Sequence, residues 1–435
     1  MIAAKQIAKG LVLACYRLLA RMLPASRRTV VFMSSLGRSY TGSPRAVCEK
    51  MAELNMTGDF RCYYIFDEPA RFAGRLPEGV CALKNARLRY YLVMARAGVW
   101  VADTRFQNYM VKKKGALYIQ TWHGTPLKKL GLDLTSLHMA GGETLSRYKE
   151  AFCKNAGTWD YLLSQNPYST AIFRRAFGFR GTVLPIGYPR NDVLVETVRE
   201  EAGADGCAVF APREAEGSKE ERTDGGGSTK KAILSAALRR LRERLFIPDG
   251  KKVMLYAPTW RDDAFYDEKD YRFETELDFG KFAAAFGEEY VLVVKYHYMV
   301  RERTAWNRCP DFVRVVDDDV DIAELYRLAD LLITDYSSVM FDYSLLKRPM
   351  YFFAYDLENY RDTLRGFYFD FEAEVPGPVV TTTEELIEAI RRGTGQEEAE
   401  RYRRFAGKYN PYDDGHASEK VLGIIKNYRE GKDRK

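Results

Sequence analysis

The chain has 435 residues, more than a typical single domain, so its length favours two domains. Its net charge of +7 suits an anionic partner. Nucleic acid is not the expected partner, because no zinc finger, recognition helix or RNA-binding aromatic motif accompanies that charge. The seven cysteines are scattered and odd in number, which argues against a disulfide framework or a zinc site and favours a reducing cytoplasm.

Residues 1–28 predict a basic amphipathic helix. Apolar side chains recur on one side of this helix, at Ile7, Leu11, Cys15, Leu18 and Met22. Basic side chains fall in a neighbouring arc, at Lys5, Lys9, Arg17 and Arg21. The segment is too interrupted by charge to span a membrane, which needs about 20 apolar residues. We expect it to lie on an anionic membrane surface; the alternative is that it packs on the protein's own core.

Residues 29–196 predict strands that alternate with helices. The strands are short apolar runs such as TVVFMSS, FRCYYIFD, AGVWVAD and ALYIQTW, and helix-length segments separate them. This alternation predicts a parallel sheet with crossover helices. Residues 197–230 are charged, rich in glycine and poor in apolar residues, so we expect a flexible insertion or linker there.

Residues 231–410 repeat the same organisation. The predicted strands are KKVMLYAPTW, YVLVVKYHY, FVRVVDD, LLITDYSS and PMYFFAYD, and residues 411–435 follow as a C-terminal helix and basic tail. Two doubly wound α/β domains that face each other would leave a cleft between them. The carboxyl ends of the strands would line that cleft, and open α/β sheets bind ligands there.

The stretch QTWHGTPLKKLG follows the predicted strand ALYIQ and carries His123, one of four histidines in the chain. Gly124 permits a tight turn, and Lys128 adds positive charge close by. An imidazole with a pKa near its usual value of about 6.5 accepts a proton at neutral pH. The alternative for a lone histidine is a ring that only stabilises a turn. The glycine and the lysines favour a functional His123 that faces the cleft.

A second strand end, LLITDYSSVMFDYS, carries Thr334 and Asp335 followed by Ser337 and Ser338. The backbone N–H groups at the start of the helix that follows attract anions, and the serine hydroxyls add donors. A simple helix cap is the alternative, since Ser and Asp are favoured there for local reasons. A cap needs one such residue and this turn has three, so we expect phosphate binding.

Three more strand ends carry polar side chains. Thr259 and Arg261 follow one strand in YAPTWRDD, and a guanidinium can bind phosphate through two hydrogen bonds. Lys295 and His297 alternate in VVKYHYM, so they point to the same face of the strand. Arg190 lies in the turn IGYPRND, which by itself is a weak signal.

The acidic run VVDDDVDIAEL contains a D-x-D pattern at Asp319 and Asp321. This pattern can bind a divalent metal, but we expect it to cap the following helix, where negative charge is favourable. The chain has no P-loop, no dinucleotide fingerprint and no serine hydrolase elbow. We therefore predict no metal site and no cofactor.

Taken together, WHGTPLKKLG, GYPRND, YAPTWRDD, KYH and TDYSSVMFDY resemble the CDP-glycerol glycerophosphotransferase family of bacterial teichoic acid synthesis, in the family's order. The resemblance implies two Rossmann-like domains facing across a cleft, as in GT-B enzymes. The C-terminal domain would hold the CDP-alditol donor and the N-terminal domain the acceptor. It also implies that His123 and His297 are catalytic. The expected substrate-binding residues are Gly124, Thr125, Lys128, Arg190, Thr259, Arg261, Lys295, Thr334, Asp335, Ser337, Ser338 and Asp342.

The implied reaction transfers glycerol phosphate from CDP-glycerol to a hydroxyl of a lipid-linked acceptor and releases CMP. The acceptor would be an undecaprenyl-diphosphate-linked disaccharide or a glycerol-phosphate chain, at the cytoplasmic face of the membrane. In our hypothesis His123 is the general base, while His297, Arg261, Lys295 and the serine turn neutralise the departing phosphate. The absence of a large extra domain favours a primase or short-chain transferase. The alternatives are a CDP-ribitol ribitolphosphotransferase, a sugar-nucleotide glycosyltransferase and a non-catalytic membrane-associated scaffold.

Overall fold

A computed structural model of the chain describes residues 2–136, 144–205, 227–259, 265–267, 270–271, 275–296, 309–361 and 366–432. Fifteen α-helices and fifteen strands lie in these ranges, together with short 3-10 helices. Almost all of the strands belong to two separate parallel sheets, so the expected α/β class with two parallel sheets is confirmed.

The N-terminal half forms a seven-stranded sheet with the order β3-β2-β1-β4-β5-β6-β7, parallel throughout. Its elements are α1 (Ile2–Met22), β1 (Ser26–Met33), α2 (Gly42–Glu53), β2 (Arg61–Phe66), β3 (Val80–Lys84), α3 (Leu88–Met94), β4 (Ala97–Ala102), β5 (Leu117–Gln120), α4 (Leu145–Ala156), β6 (Tyr161–Ser164), α5 (Pro167–Ala176), β7 (Thr182–Pro185) and α6 (Asp192–Asp205).

The C-terminal half forms a six-stranded parallel sheet with the order β12-β11-β8-β13-β14-β15. Its elements are α7 (Gly227–Arg244), β8 (Lys252–Ala257), β9 (Phe265–Asp267), β10 (Asp270–Tyr271), α8 (Phe279–Phe286), β11 (Tyr290–Val294), β12 (Val313–Val315), α9 (Ile322–Leu328), β13 (Leu331–Thr334), α10 (Val339–Tyr343), β14 (Met350–Phe353), α11 (Leu357–Asn359), α12 (Phe371–Glu374), β15 (Val379–Val380), α13 (Thr383–Arg392), α14 (Gln396–Tyr409) and α15 (Ala417–Glu430). Strands β9 and β10 form a separate antiparallel pair.

Apolar side chains on both faces explain why these runs form central strands. Successive residues of β8 enter two different hydrophobic cores, with Val253 and Leu255 on one face and Met254 and Tyr256 on the other. Strand β4 is buried at all six of its residues. Strands covered on both faces are typical of parallel sheets with helices on each side. In both sheets the strand order reverses next to the first strand of the half, between β1 and β4 and between β8 and β13.

Two boundaries differ from those expected. Helix α6 continues to Asp205 and helix α7 begins at Gly227, so residues 197–205 and 227–230 are helical rather than part of a linker. The remaining linker prediction falls on residues 206–226, outside the described residues. Helix α15 returns to the N-terminal sheet, where Val421 and Ile425 share a core with Val30 and Phe32 of β1. The last helix is therefore part of the N-terminal layer, although the chain reaches it from the C-terminal domain.

Asp319 and Asp321 join the two halves. Asp321 accepts hydrogen bonds from the backbone N–H of Ala323, at the start of α9, and from that of Gly42, at the start of α2, at 3.0 and 2.7 Å. Asp319 forms an ion pair with Arg75 at 2.7 Å. The expectation that this acidic run caps the following helix is confirmed for Asp321, which is the N-cap of α9.

Between Gly10 and Met22, helix α1 packs on the N-terminal half through one face. Tyr16 and Ala20 are buried in the core, and the Tyr16 ring lies 5.4 Å from the Tyr91 ring of α3. Leu11, Leu18 and Met22, on another side of the helix, are exposed. Across the described part of the chain, no helix combines the length and apolar character needed to cross a bilayer.

Candidate active site

A cavity of about 1080 Å³ separates the two sheets. Its walls are loops that follow the carboxyl ends of strands in both halves, namely those after β1, β2, β4 and β5 on one side and after β8, β11 and β13 on the other. Both reversal points of strand order open into it. In open α/β sheets ligands bind at this place, so the cavity is the candidate site.

The turn after β5 presents His123 to this cavity. Its Nδ1 lies 2.9 Å from the backbone carbonyl oxygen of Asp103. A carbonyl oxygen only accepts, so Nδ1 carries the proton and donates it, and in the neutral ring Nε2 keeps its lone pair. The Trp122 ring stacks on the imidazole with 4.3 Å between centroids. The ring is therefore fixed in orientation with a basic nitrogen on its other side.

The surroundings of His123 lower its pKa to about 4. Desolvation by the packed protein is the largest cause, and the positive charges of Arg190 and Arg105 act in the same direction, while the Asp103 carbonyl opposes them. One side of the ring remains open to water in the cleft, which offsets part of the desolvation. The imidazole is consequently neutral at physiological pH, the state in which Nε2 accepts a proton.

Gly124 and Thr125 have different surroundings. A Cβ at Gly124 would lie 2.9 Å from the Ser338 hydroxyl oxygen, so only glycine lets this turn approach the C-terminal half so closely. Thr125 is buried, and its hydroxyl donates to the Gln165 side chain at 2.7 Å. Thr125 lines the cavity, but its hydroxyl bonds to Gln165 and stabilises the turn.

Lys128 also lines the cavity. Its ammonium group lies 4.7 Å from the centre of the Tyr360 ring, and its backbone pairs with Phe367 of the C-terminal half. The segment that follows His123 is thus anchored to both halves, and it holds a positive charge at the edge of the cavity.

Arg190 and Asp342, both expected to bind substrate, form an ion pair with each other between the two halves. The side chains are almost completely buried, and Asn191 donates a further hydrogen bond to Asp342 at 3.1 Å. Arg190 also lines the cavity. Its charge can act on a bound anion, while Asp342 lies behind it and keeps it in place.

The turn after β13 forms the opposite wall of the cavity. The Thr334 hydroxyl donates to the Ala257 carbonyl at 2.7 Å, and Asp335 accepts the Thr259 backbone N–H at 2.8 Å. These two contacts tie the ends of β13 and β8 together. Ser337 and Ser338 are half-buried and line the cavity. Helix α10 behind them has only five residues, so the hydroxyls are the more substantial donors.

Lys295 lines the same wall, and its ammonium group donates to the Asp317 carbonyl at 2.6 Å. His297 and Arg261 lie outside the described residues. Tyr296, next to His297, and Thr259, two residues before Arg261, both line the cavity. The roles of His297 and Arg261 stay predictions.

The N-terminal wall of the cavity was not predicted from the sequence. The loop SSLGRSYT, residues 34–41, and Asp103 at the end of β4 contribute to it. Burial raises the pKa of the Asp103 carboxyl to about 7. The available signal was a serine- and glycine-rich stretch directly after the first strand, the same arrangement that drew attention to His123.

No group of three or more His, Cys, Asp or Glu side chains that could hold a metal ion occurs within the described ranges. The hydroxyls and cations described above line the cavity and could act on a bound anion, as could Arg38 and Arg71 in its N-terminal wall.

The model of the family described as "CDP-Glycerol:Poly(glycerophosphate) glycerophosphotransferase" matches residues 15–206 and 228–427. The chain belongs to this family. The expected family resemblance is therefore confirmed, and the match covers both sheets and α15.

Three relatives match over more than nine-tenths of this chain. It is 39% identical to a teichoic acid poly(glycerol phosphate) polymerase of Bacillus subtilis over 94% of this chain, and it spans 50% of that relative. It is 37% identical to a polymerase of the same name from Bacillus spizizenii, covering 92% of each chain. It is 35% identical to a teichoic acid glycerol-phosphate transferase of Staphylococcus aureus, covering 97% of this chain and 98% of the other. Three ribitol-phosphate enzymes match at 26–28% identity.

The fold also matches a solved structure of the wall teichoic acid polymerase TagF. The TM-score is 0.81 at 33% identity, with 98% of this chain and 96% of that chain covered. A histidine-to-asparagine variant of the same polymerase with CDPG gives a TM-score of 0.83.

Proposed function

We propose that this glycerophosphotransferase transfers glycerol phosphate from CDP-glycerol to a hydroxyl of a glycerol-phosphate chain and releases CMP. One observation carries the proposal: a neutral His123, with its tautomer fixed by the Asp103 carbonyl, faces Ser338 and Lys295 across one cavity. A base on one wall and phosphate-binding groups on the other suit attack by an alcohol on a phosphate. The two facing sheets support a GT-B-like architecture.

In this mechanism Nε2 of His123 takes the proton of the acceptor hydroxyl. The acceptor oxygen bonds to the phosphorus that carries glycerol, and the bond from that phosphorus to the CMP oxygen breaks. Lys295, Lys128 and Arg190 stabilise the negative charge that develops on the leaving phosphate, together with the hydroxyls of Ser337 and Ser338. His297 and Arg261 belong to the same leaving-group role in the hypothesis drawn from the sequence.

A membrane role for α1 is part of this proposal. Leu11, Leu18 and Met22 expose 64%, 59% and 71% of their surface, and Leu88 and Leu92 of the neighbouring α3 expose 72% and 44%. Exposed apolar side chains beside arginines suit the surface of an anionic membrane. We propose that this side of the protein lies on the cytoplasmic face of the cell membrane, where a lipid-linked acceptor, carried by undecaprenyl diphosphate, is found.

The names of the relatives favour one donor and one acceptor over the alternatives. The relatives with 35–39% identity are named for glycerol phosphate, which supports CDP-glycerol over CDP-ribitol. Two of them are polymerases and one is a transferase, whereas a glycerol-phosphate primase matches at 28% over 77% of this chain. We therefore favour an acceptor that already ends in glycerol phosphate over the disaccharide that a primase would use.

The test supplies the full chain with CDP-glycerol, CDP-ribitol or a UDP-sugar. The acceptor is a lipid disaccharide with or without one glycerol phosphate. Nucleotide release and product mass are followed together. We expect CMP from CDP-glycerol and a product heavier by glycerol phosphate on the phosphorylated acceptor. UDP release would indicate a glycosyltransferase, and no release from any donor would support a scaffold.

Independence from metal is a separate prediction. We expect CMP release to continue with excess chelator, because cationic side chains and hydroxyls line the phosphate wall of the cavity. Chelation followed by readdition of Mg²⁺ serves as the control. Activity that disappears with the chelator and returns with the metal would contradict this prediction.

A further inference from the structure

The loop after β1 has an unusual backbone. Ser35, Leu36 and Gly37 have φ angles of +48°, +61° and +93° in succession. Residues other than glycine rarely adopt this backbone conformation, and such strain is concentrated at functional sites. The loop lies at the reversal point between β1 and β4 and lines the cavity.

Neighbouring strand ends hold this loop in place. The backbone N–H of Ser35 donates to Asp103 Oδ1 at 2.9 Å, and that of Leu36 donates to the Thr104 hydroxyl at 3.0 Å. The Asp67 N–H donates to the Gly37 carbonyl at 2.8 Å. The ends of β1, β2 and β4 are therefore fastened into one rigid rim. This acceptor rim consists of residues 35–39, 67–71 and Asp103.

Asp103 is the part of the acceptor rim nearest to His123, because its own carbonyl holds the imidazole. Its side chain is buried but reaches the cavity. Oδ1 accepts the Ser35 N–H, and a Cβ at Gly42 would lie 3.6 Å from Oδ2. Because Gly42 has no side chain, a small ligand in the cavity can approach this oxygen.

The charges of the acceptor rim do not suit a diphosphate. Asp67, Glu68 and Asp103 line it together with Arg38 and Arg71. The carboxylates of Asp67 and Glu68 repel a doubly charged diphosphate. All three carboxyl groups can accept hydrogen bonds from alcohol hydroxyls. The arginines match the single charge of a phosphodiester. The cavity, at about 1080 Å³, is slightly larger than the roughly 300–1,000 Å³ of small-molecule sites, so it has room for a second substrate.

We propose that the acceptor rim binds the terminal glycerol phosphate unit of the acceptor chain. This inference rests on the proposed function. Asp103 Oδ2 accepts a hydrogen bond from the hydroxyl next to the attacking one, and Arg38 and Arg71 pair with the phosphodiester. The attacking hydroxyl then faces His123, which takes its proton as the new oxygen–phosphorus bond forms and the bond to CMP breaks.

The experiment compares Arg71→Gln and Asp103→Asn with the wild-type full chain. Asp103→Asn keeps an oxygen that can accept the Ser35 N–H, and Arg71 is exposed, so both variants are expected to fold. We expect the KM for a glycerol-phosphate-terminated lipid to rise about tenfold in each, with the KM for CDP-glycerol within about twofold of wild type. Arg180→Gln, an exposed arginine of the same half that does not line the cavity, is the matched control. A rise confined to the KM for CDP-glycerol, or no rise, would overturn the proposal.

A binding measurement separates this proposal from the proposed function. Calorimetry with a glycerol-phosphate trimer, without nucleotide, compares the wild type with Arg71→Gln. About tenfold weaker binding by the variant supports the acceptor rim even if the wild type releases no CMP from CDP-glycerol. Equal binding by the two proteins contradicts it even if the transferase is fully active.

Discussion

His123 combines a fixed tautomer with a lowered pKa, and both follow from its position. Its Nδ1 donates to the Asp103 carbonyl, and desolvation lowers the pKa to about 4. The sequence predicted a histidine that faces a cleft, because a glycine and lysines accompany it. Asp103 lies 20 residues away in the chain, so the tautomer could not be predicted before the strand order was known.

Replacing His123 tests its role as the base. We expect His123→Asn to lower kcat about 10²–10⁴-fold, because the amide can still donate to the Asp103 carbonyl but cannot take a proton. CMP release under saturating substrates measures this. His416→Asn is the matched control, since His416 is half-exposed and lies outside the lining of this cavity. Turnover of more than about a tenth of wild type would remove His123 from the mechanism.

The buried carboxyl group of Asp413 should make the stability of the folded protein depend on pH. Burial raises its pKa from 3.8 to about 7, so its proton stabilises the folded state fully below pH 3.8, and that stability is lost as the pH rises through 7. Asp413→Asn keeps an oxygen to accept the Tyr188 N–H. The free energy of unfolding of Asp413→Asn minus that of wild type should therefore be about 1–3 kcal/mol more positive at pH 8 than at pH 5.

Urea unfolding at the two pH values measures this difference. Asp414→Asn is the control, because Asp414 is exposed and Lys420 lowers its pKa. A difference between Asp413→Asn and wild type that is the same at both pH values would show that Asp413 titrates normally in the folded protein.

The strands and the polar residues at their ends could be predicted from the sequence, whereas the bounds and packing of some helices could not. Runs such as AGVWVA are apolar on both faces and fit only a covered parallel strand. Helix α6 extends to Asp205, into the expected linker, and α15 packs on the other half of the molecule. The latter placement depends on an apolar face of α15 meeting a face of β1 that is about 400 residues away, which local periodicity cannot reveal.

Asp321 caps two helices from opposite halves, which gives a prediction for element stability. Asp321→Ala removes the acceptors for the N–H groups of Ala323 and Gly42, and should lower the free energy of unfolding by about 1–2 kcal/mol. Asp321→Asn retains one acceptor and should fall between wild type and Asp321→Ala. Denaturant unfolding of the three proteins checks the order, and equal stability of wild type and Asp321→Ala would contradict it.

The exposed side of α1 predicts membrane binding. We expect the combined change of Leu11, Leu18 and Met22 to Gln to weaken sedimentation with anionic vesicles at least about tenfold, because less apolar surface enters the bilayer. Leu54→Gln, an exposed leucine at the end of α2, is the matched control. Wild-type protein that ignores anionic vesicles would contradict the membrane role of α1.

For the whole molecule, the sequence indicated two doubly wound halves and a cleft between them, because motif-bearing strand ends occur in both. It did not indicate which residues close that cleft. The contacts of Asp321 with Gly42 and of Arg190 with Asp342 join residues 279 and 152 positions apart. Each of these side chains has a plausible partner close by in the sequence. The partner that it has in the fold can be known only once the arrangement of the two sheets is known. The acceptor rim was missed for a different reason: its serine- and glycine-rich loop was visible directly after the first strand, but its contacts with Asp67, Asp103 and Thr104 depend on the order of the strands.

The most direct test of the central claim is a structure of the full chain with CDP-glycerol bound. We predict the diphosphate in the cavity between the sheets, with its oxygens in hydrogen-bond contact with Ser337 or Ser338. The phosphorus that bears glycerol should face Nε2 of His123 across a gap that an acceptor hydroxyl can fill. A nucleotide bound outside this cavity, or a His123 ring beyond reach of the acceptor hydroxyl even through one water, would contradict the account.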